Sequence, residues 1–117
     1  MVKLRDLSEK GIFIHRLNKL LDEHAADHHY RIADLAQDMN LSRVHLHRKI
    51  KQLTGKCCSE HIRDRKLKKA RKLLKKTDKT VTEIAFEVGF NNLSYFARKF
   101  REKYHVNPSE FTNSGDQ

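Results

Sequence analysis

Residues 31–51, RIADLAQDMNLSRVHLHRKIK, hold two apolar patterns of helical period separated by a short polar break. Ile32, Leu35, Ala36 and Met39 recur at i, i+3, i+4 and i+7, the stripe of a short surface helix. Asn40 stands where a left-handed residue ends such a helix. Ser42 stands where a hydroxyl caps the next one by accepting from the amides of its first turn. This second helix runs to Thr54 and stops at Gly55, a residue suited to the position just past a helix end. Steps of about 100° per residue put Leu46, Ile50 and Leu53 on one side of it, with Val44, His47, Arg48 and Lys51 opposite. The stretch predicts a helix-turn-helix with a mixed polar face turned outward.

The same pattern returns further along. A shift of 49 residues sets Ile32, Leu35, Ala36 and Met39 on Val81, Ile84, Ala85 and Val88. One residue more in the turn, a shift of 50, sets Leu46, Arg48, Lys49 and Ile50 on Phe96, Arg98, Lys99 and Phe100. In this second copy Gly89 is the stop, Asn91 or Asn92 the cap, and Ser94, Ala97, Arg98 and Arg101 the outward set. Pro108 is placed to open a last short helix as its first residue.

Around the two copies, Phe13, Leu17, Leu20 and Leu21 mark a packing helix from about Glu9 to His28. Residues 59–76, with Ser59 as cap and Ile62, Leu67, Ala70, Leu73 and Leu74 as apolar stripe, predict a linker helix. Its length at about 1.5 Å per residue is about 27 Å. The expected class is therefore all-α, two helix-turn-helix units joined by a long helix, about seven helices in total. The expected divisions are 1–30 for the packing helix, 31–57 and 78–112 for the two units, 58–77 for the linker and 113–117 for a polar tail.

Composition agrees with this class: one Pro, four Gly, no Trp, and no long β-branched run. A chain of 117 residues supports one modest core or two small ones, which points to a binding module and away from an enzyme. The net charge of +10 is unevenly spread. Residues 1–30 hold five basic and five acidic side chains, so the whole excess lies after them, on the part expected to meet an anion. Cys57 and Cys58 are adjacent and cannot staple distant parts of the fold, which suits a reducing cytoplasm. No basic-then-apolar leader and no membrane-length apolar run are present in the sequence.

At the residues LSRVHLHRKIKQLTG, RKLKKARKLL and EIAFEVGFNNLSYFARKFREKYHVNPSEF, the chain resembles the AraC/XylS family of bacterial transcription regulators, over Arg31 to Thr112. The resemblance implies a domain of two helix-turn-helix units whose second helices enter the major groove of promoter DNA. It puts the base-reading positions on Val44, His47 and Arg48 and on Leu93, Ser94 and Arg98. The faces read from the sequence agree for all but Leu93, which they set nearer the core flank. The first copy and the neutral helix before it most resemble chains in which such a domain ends a response regulator or hybrid two-component sensor. A sensory or receiver region preceding this segment, a cytoplasmic location, RNA polymerase as a partner and a monomeric fragment are the accompanying expectations. Where the family usually has Pro, an aromatic and Gly, this chain has Cys58, His61 and His105.

Outward sets that mix short residues with long donors suit a helix lying against base edges. Arg binds guanine in a bidentate way, and Val touches a thymine methyl. Arg43, Lys49, Lys51, Lys56, Lys99 and Arg101, with the caps Ser42 and Asn92, flank these helices and are expected to hold phosphates. The run Arg63 to Lys76 has nine basic residues and one acid, and most of it reads as a solvated helix face. Two recognition helices on one side of a duplex imply groove segments roughly 34 Å apart, with bent DNA or one loosely engaged unit. His24 and His28 have i, i+4 spacing but no third ligand nearby, so neither a metal nor another cofactor is expected. No phosphate loop or nucleophile motif supports catalysis. The competing readings are a nonspecific architectural nucleic-acid binder, resting on charge alone, and a protein-interaction module docking on the transcription machinery through the linker helix.

Overall fold

The computed structural model describes residues 8–111. Among them are helices α1 (Glu9–Glu23), α2 (Ile32–Asp38), α3 (Arg43–Thr54), α4 (Cys58–Lys76), α5 (Val81–Glu87) and α6 (Leu93–Tyr104), followed by a 3-10 turn, Pro108–Phe111. No described residue lies in a strand, so the class is all-α. The expected tail at 113–117 lies outside the described residues.

The chain forms two compact units. Among the described residues the first runs to Arg65, apart from Ala25–Asp27; those three residues belong with the second unit, which continues from Lys66. In the first unit Leu17 and Leu21 of α1 join Leu35, Ala36, Met39, Leu46, Ile50 and Cys58 in one core. Two polar ties fasten α1 to the first part of α4: Arg65 Nη2 donates to Asp22 Oδ2 at 2.7 Å, and a ring nitrogen of His61 pairs with Asn18 Oδ1 at 2.9 Å. Arg16 Nη2 reaches the Asp38 carbonyl at 2.7 Å, tying α1 to the end of α2. In the second unit Leu67, Ala70 and Leu74 of α4 pack with Ile84, Ala85, Val88, Phe90, Phe96 and Phe100. Phe96 and Phe100 are fully buried; removing each ring from water contributes about 1.5–3 kcal/mol.

Each unit carries a helix-turn-helix, and the repeat extends to individual hydrogen bonds. Past α2 the Leu41 amide donates to the Ala36 carbonyl at 2.9 Å, and past α5 the Phe90 amide donates to the Ala85 carbonyl at the same 2.9 Å. Both are the six-to-one closure of a left-handed helix end. Asn40 supplies the positive φ in the first copy, 60°, and Gly89 in the second, 106°. The second helices are 12 residues each, capped by Ser42 and Asn92 and closed by left-handed Gly55 (φ 78°) and His105 (φ 66°).

Two boundaries differ from the sequence reading. The first helix was expected to reach His28 and ends at Glu23. Ala25 is buried with the second unit, and His24 instead stacks on Tyr30, their ring centroids 3.7 Å apart. His28 is therefore off the helix, and the i, i+4 chelating geometry assumed for His24 and His28 does not exist. The linker helix begins at Cys58, so Ser59 lies inside its first turn and is not its cap. Cys58 is fully buried in the first core, which pulls the helix start onto it; Cys57, just outside, is exposed.

Candidate nucleic-acid interface

Helices α3 and α6 owe their orientation to what they bury. Leu46 and Ile50 of α3, and Phe96 and Phe100 of α6, point into the two cores with no exposure, which fixes the opposite face of each helix outward. At the start of each, the cap side chain accepts from the third amide: Ser42 Oγ from His45 at 3.1 Å, Asn92 Oδ1 from Tyr95 at 2.8 Å. These bonds leave the Ser42 hydroxyl proton and the Asn92 amide protons available to an incoming acceptor. Both caps are exposed, as are the first two residues of each helix, Arg43 and Val44 and then Leu93 and Ser94, at the end where the helix dipole favours an anion.

On the outward face of α3, Val44, His47 and Arg48 are all exposed, Val44 at 66%. On α6, Ser94 and Arg98 are exposed, and so is Leu93, at 40%. Leu93 is the first residue of its helix, where the chain is still entering, so it stands clear of the core flank that its angular position suggests. Large apolar side chains at the solvent are few among the described residues: Ile12, Val44, Phe86 and Leu93. Two of those four therefore sit on the candidate reading faces, where an apolar contact to a thymine methyl needs them. Arg98 and Arg101 share a shallow open depression with Ala97, Glu102 and Asn107.

The basic residues flanking these helices divide by what already holds them. Arg43 and Arg101 are exposed. Lys51 is exposed too, with its ammonium 3.1 Å from the Gly55 carbonyl at the end of its own helix. Lys49 is half-buried and lies over the Phe13 ring of α1, 5.1 Å from its centroid. Lys99 is half-buried, paired with Glu102 at 3.2 Å and set 5.7 Å from the Tyr95 centroid. Lys56 is ion-paired with Asp64, and that hydrogen bond holds its pKa above the usual lysine value. Sequence spacing gave no sign of the engagements of Lys49 and Lys56, because Phe13 lies on α1 and Asp64 on α4, whereas Tyr95–Lys99 and Lys99–Glu102 are i, i+4 and i, i+3 pairs along α6.

Tyr95 was missed as a site residue. Its ring lies under the Arg98 guanidinium, 5.3 Å from centroid to the central carbon, and packs against the tilted Phe90 ring at 6.2 Å. The available signal was the i, i+3 spacing of an aromatic and an arginine on one helix. Among the described residues no group of three or more His, Cys, Asp or Glu is arranged to hold a metal ion, and no helix is long and apolar enough to cross a membrane.

A family model described as a helix-turn-helix domain matches residues 35–114. The chain belongs to the AraC-type helix-turn-helix family. It is 36% identical over 104 residues to the transcriptional activator RhaS of an Enterobacter species, covering 86% of this chain and 37% of that one. It is 30% identical over 95 residues to histidine kinase P4 of Formosa agariphila, covering 81% of this chain and 7% of the kinase. Among solved structures it is similar to the C-terminal domain of AraT, a response regulator from Geobacillus stearothermophilus, with 26% identity, TM-score 0.76, and coverage of 92% of this chain and 88% of that one. This AraC-type chain thus spans about a third of the activator's length and a small fraction of the kinase's.

Proposed function

We propose that this AraC-type chain is the DNA-binding part of a bacterial transcription regulator, reading double-stranded promoter DNA in the major groove with the outward faces of α3 and α6. One observation carries the reading. Two helix-turn-helix units agree down to cap and turn hydrogen bonds, and each presents an exposed face that combines a long guanidinium with short or apolar side chains. Val44, His47 and Arg48, then Leu93, Ser94 and Arg98, are the base-reading residues of this proposal. Ser42, Arg43, Lys51, Asn92 and Arg101 hold phosphates, with Lys49, Lys56 and Lys99 in lesser roles because protein partners already engage them. The chain performs no catalysis itself; it acts in the cytoplasm, and RNA polymerase is the partner through which binding becomes regulation.

The similarity to the C-terminal domain of a response regulator and to a histidine kinase supports placing the chain downstream of a sensory or receiver region in a two-component system. The segment by itself is proposed to be monomeric.

Binding-site selection from random duplexes at physiological salt tests the reading. Enrichment of a defined sequence element supports it. Tight binding with steep salt dependence and no enriched element makes the chain an architectural binder, and no DNA retained at all makes it a protein-interaction module.

A further inference from the structure

The two units do not hold their arginines alike. Arg98 stands on the Tyr95 ring, 5.3 Å from its centroid. Tyr95 is itself wedged, half-buried, against Phe90, whose ring centroid is 6.2 Å away, and Phe90 packs in turn on Phe96 at 5.0 Å in the second core. The chain of rings leads from the buried centre of the unit to the guanidinium on its surface. In the first unit the position equivalent to Tyr95 is His45, which is exposed, and Arg48 has no ring or carboxylate partner among the described residues.

Building on the DNA-reading proposal above, we propose that Tyr95 is the positioning residue for Arg98, so that the second unit reads its base pair with a pre-set arginine and the first with a free one. A guanidinium laid on an aromatic face keeps its N–H donors, which lie in its own plane, free to meet an acceptor at the edge. Stacking restricts the side chain before DNA arrives, so less rotamer freedom is lost on binding. Tyr95 touches no base in this scheme; it acts through Arg98. The consequence is unequal selectivity. The base pair under Arg98 is discriminated sharply, whereas the one under Arg48 tolerates exchange because an unrestrained side chain adapts to more than one acceptor pattern.

The test uses the full chain and the site recovered by selection. Dissociation constants are measured for that site and for the same site carrying each single base-pair exchange, with wild type, Arg98→Ala, Tyr95→Phe, Tyr95→Leu and Tyr95→Leu combined with Arg98→Ala. Discrimination is read as the ratio between the selected and the exchanged site, so a loss of folded protein, which weakens both equally, does not move it. Arg98→Ala is expected to lower the ratio at one or two base pairs by about tenfold or more. Tyr95→Leu is expected to lower it at the same base pairs by about two- to fivefold and nowhere else. Tyr95→Phe, which retains the ring, keeps the wild-type ratio, and the double variant behaves as Arg98→Ala alone. If Arg98→Ala lowers the ratio and Tyr95→Leu does not, the positioning role is overturned while the DNA-reading role stands. If Arg98→Ala leaves every ratio unchanged, both fall.

Discussion

The Ala25 carbonyl occupies the space that any side chain on Gly89 would need: a Cβ built on Gly89 lies 2.0 Å from that oxygen. Gly89 also holds φ at +106°, and the Lys66 Cε lies 3.0 Å from the same point. Backbone on one side leaves nothing that moves cheaply. Gly89→Ala is therefore expected to cost about 3 kcal/mol or more in urea unfolding. Gly55 is the control. Its φ is also positive, +78°, but nothing lies within 4 Å of its Cβ position, so Gly55→Ala meets only the left-handed penalty of about 1 kcal/mol.

His105 ends α6 in the left-handed region, φ 66°, with its amide donating to the Arg101 carbonyl at 2.7 Å. A side chain with a Cβ costs roughly 1–2 kcal/mol there, partly offset in glycine by a more flexible unfolded chain. His105→Gly is expected to stabilise the protein and raise Tm by a few degrees, whereas His105→Ala, which keeps the Cβ, leaves Tm near wild type. Differential scanning calorimetry of the two variants separates backbone strain from any effect of the lost ring.

His61 couples the first unit to pH. Burial pushes its pKa below the ordinary histidine value; nearby Arg65 and Lys56 add to the effect and Asp64 opposes it. A folded pKa below the unfolded one means the unfolded chain binds the extra proton more readily. The contribution to stability is then fully present above the unfolded value of about 6.5 and is lost as pH falls through the lower folded value. Urea titrations from pH 8 to pH 5 check this: the stability of wild type relative to His61→Phe is expected to decline on the acid side. A flat difference across that range contradicts it.

The engaged lysines give a prediction in salt. Replacing Arg43 or Arg101, the proposed phosphate contacts, by Ala should weaken binding evenly across DNA sequences and reduce the slope of log affinity against log salt by about 1 each. Lys49, over the Phe13 ring, and Lys56, paired with Asp64, should change that slope less when replaced. Their loss is expected to appear instead as a lowered Tm.

Much of this arrangement was legible in the chain because the information is local and repeated. The alignment of Ile32–Met39 with Val81–Val88, and of Leu46–Ile50 with Phe96–Phe100, located both turns and the buried sides of α3 and α6 without reference to anything distant, and narrowed the second cap to Asn91 or Asn92, of which the structure uses Asn92. What the sequence withheld depends on contacts remote along the chain. The first helix stops at Glu23 because Ala25 belongs against Gly89, some sixty residues away, and no local breaker marks the spot. The start of α4 follows the burial of Cys58 in a core built by other helices, which outweighs the capping preference of Ser59. Likewise Lys49 and Lys56 look like their exposed neighbours in one dimension, and only Phe13 and Asp64 distinguish them.

The central claim is that the outward arginines of a repeated fold read bases. Its most direct measurement is the affinity of wild type, Arg48→Ala and Arg98→Ala for the selected site and for random duplex of equal length at one fixed salt concentration. Each replacement is expected to cost about 1–3 kcal/mol on the selected site and less on random duplex, so that specificity falls, and falls further for Arg98→Ala than for Arg48→Ala. Equal losses on both DNAs would reduce these residues to phosphate contacts and contradict the claim.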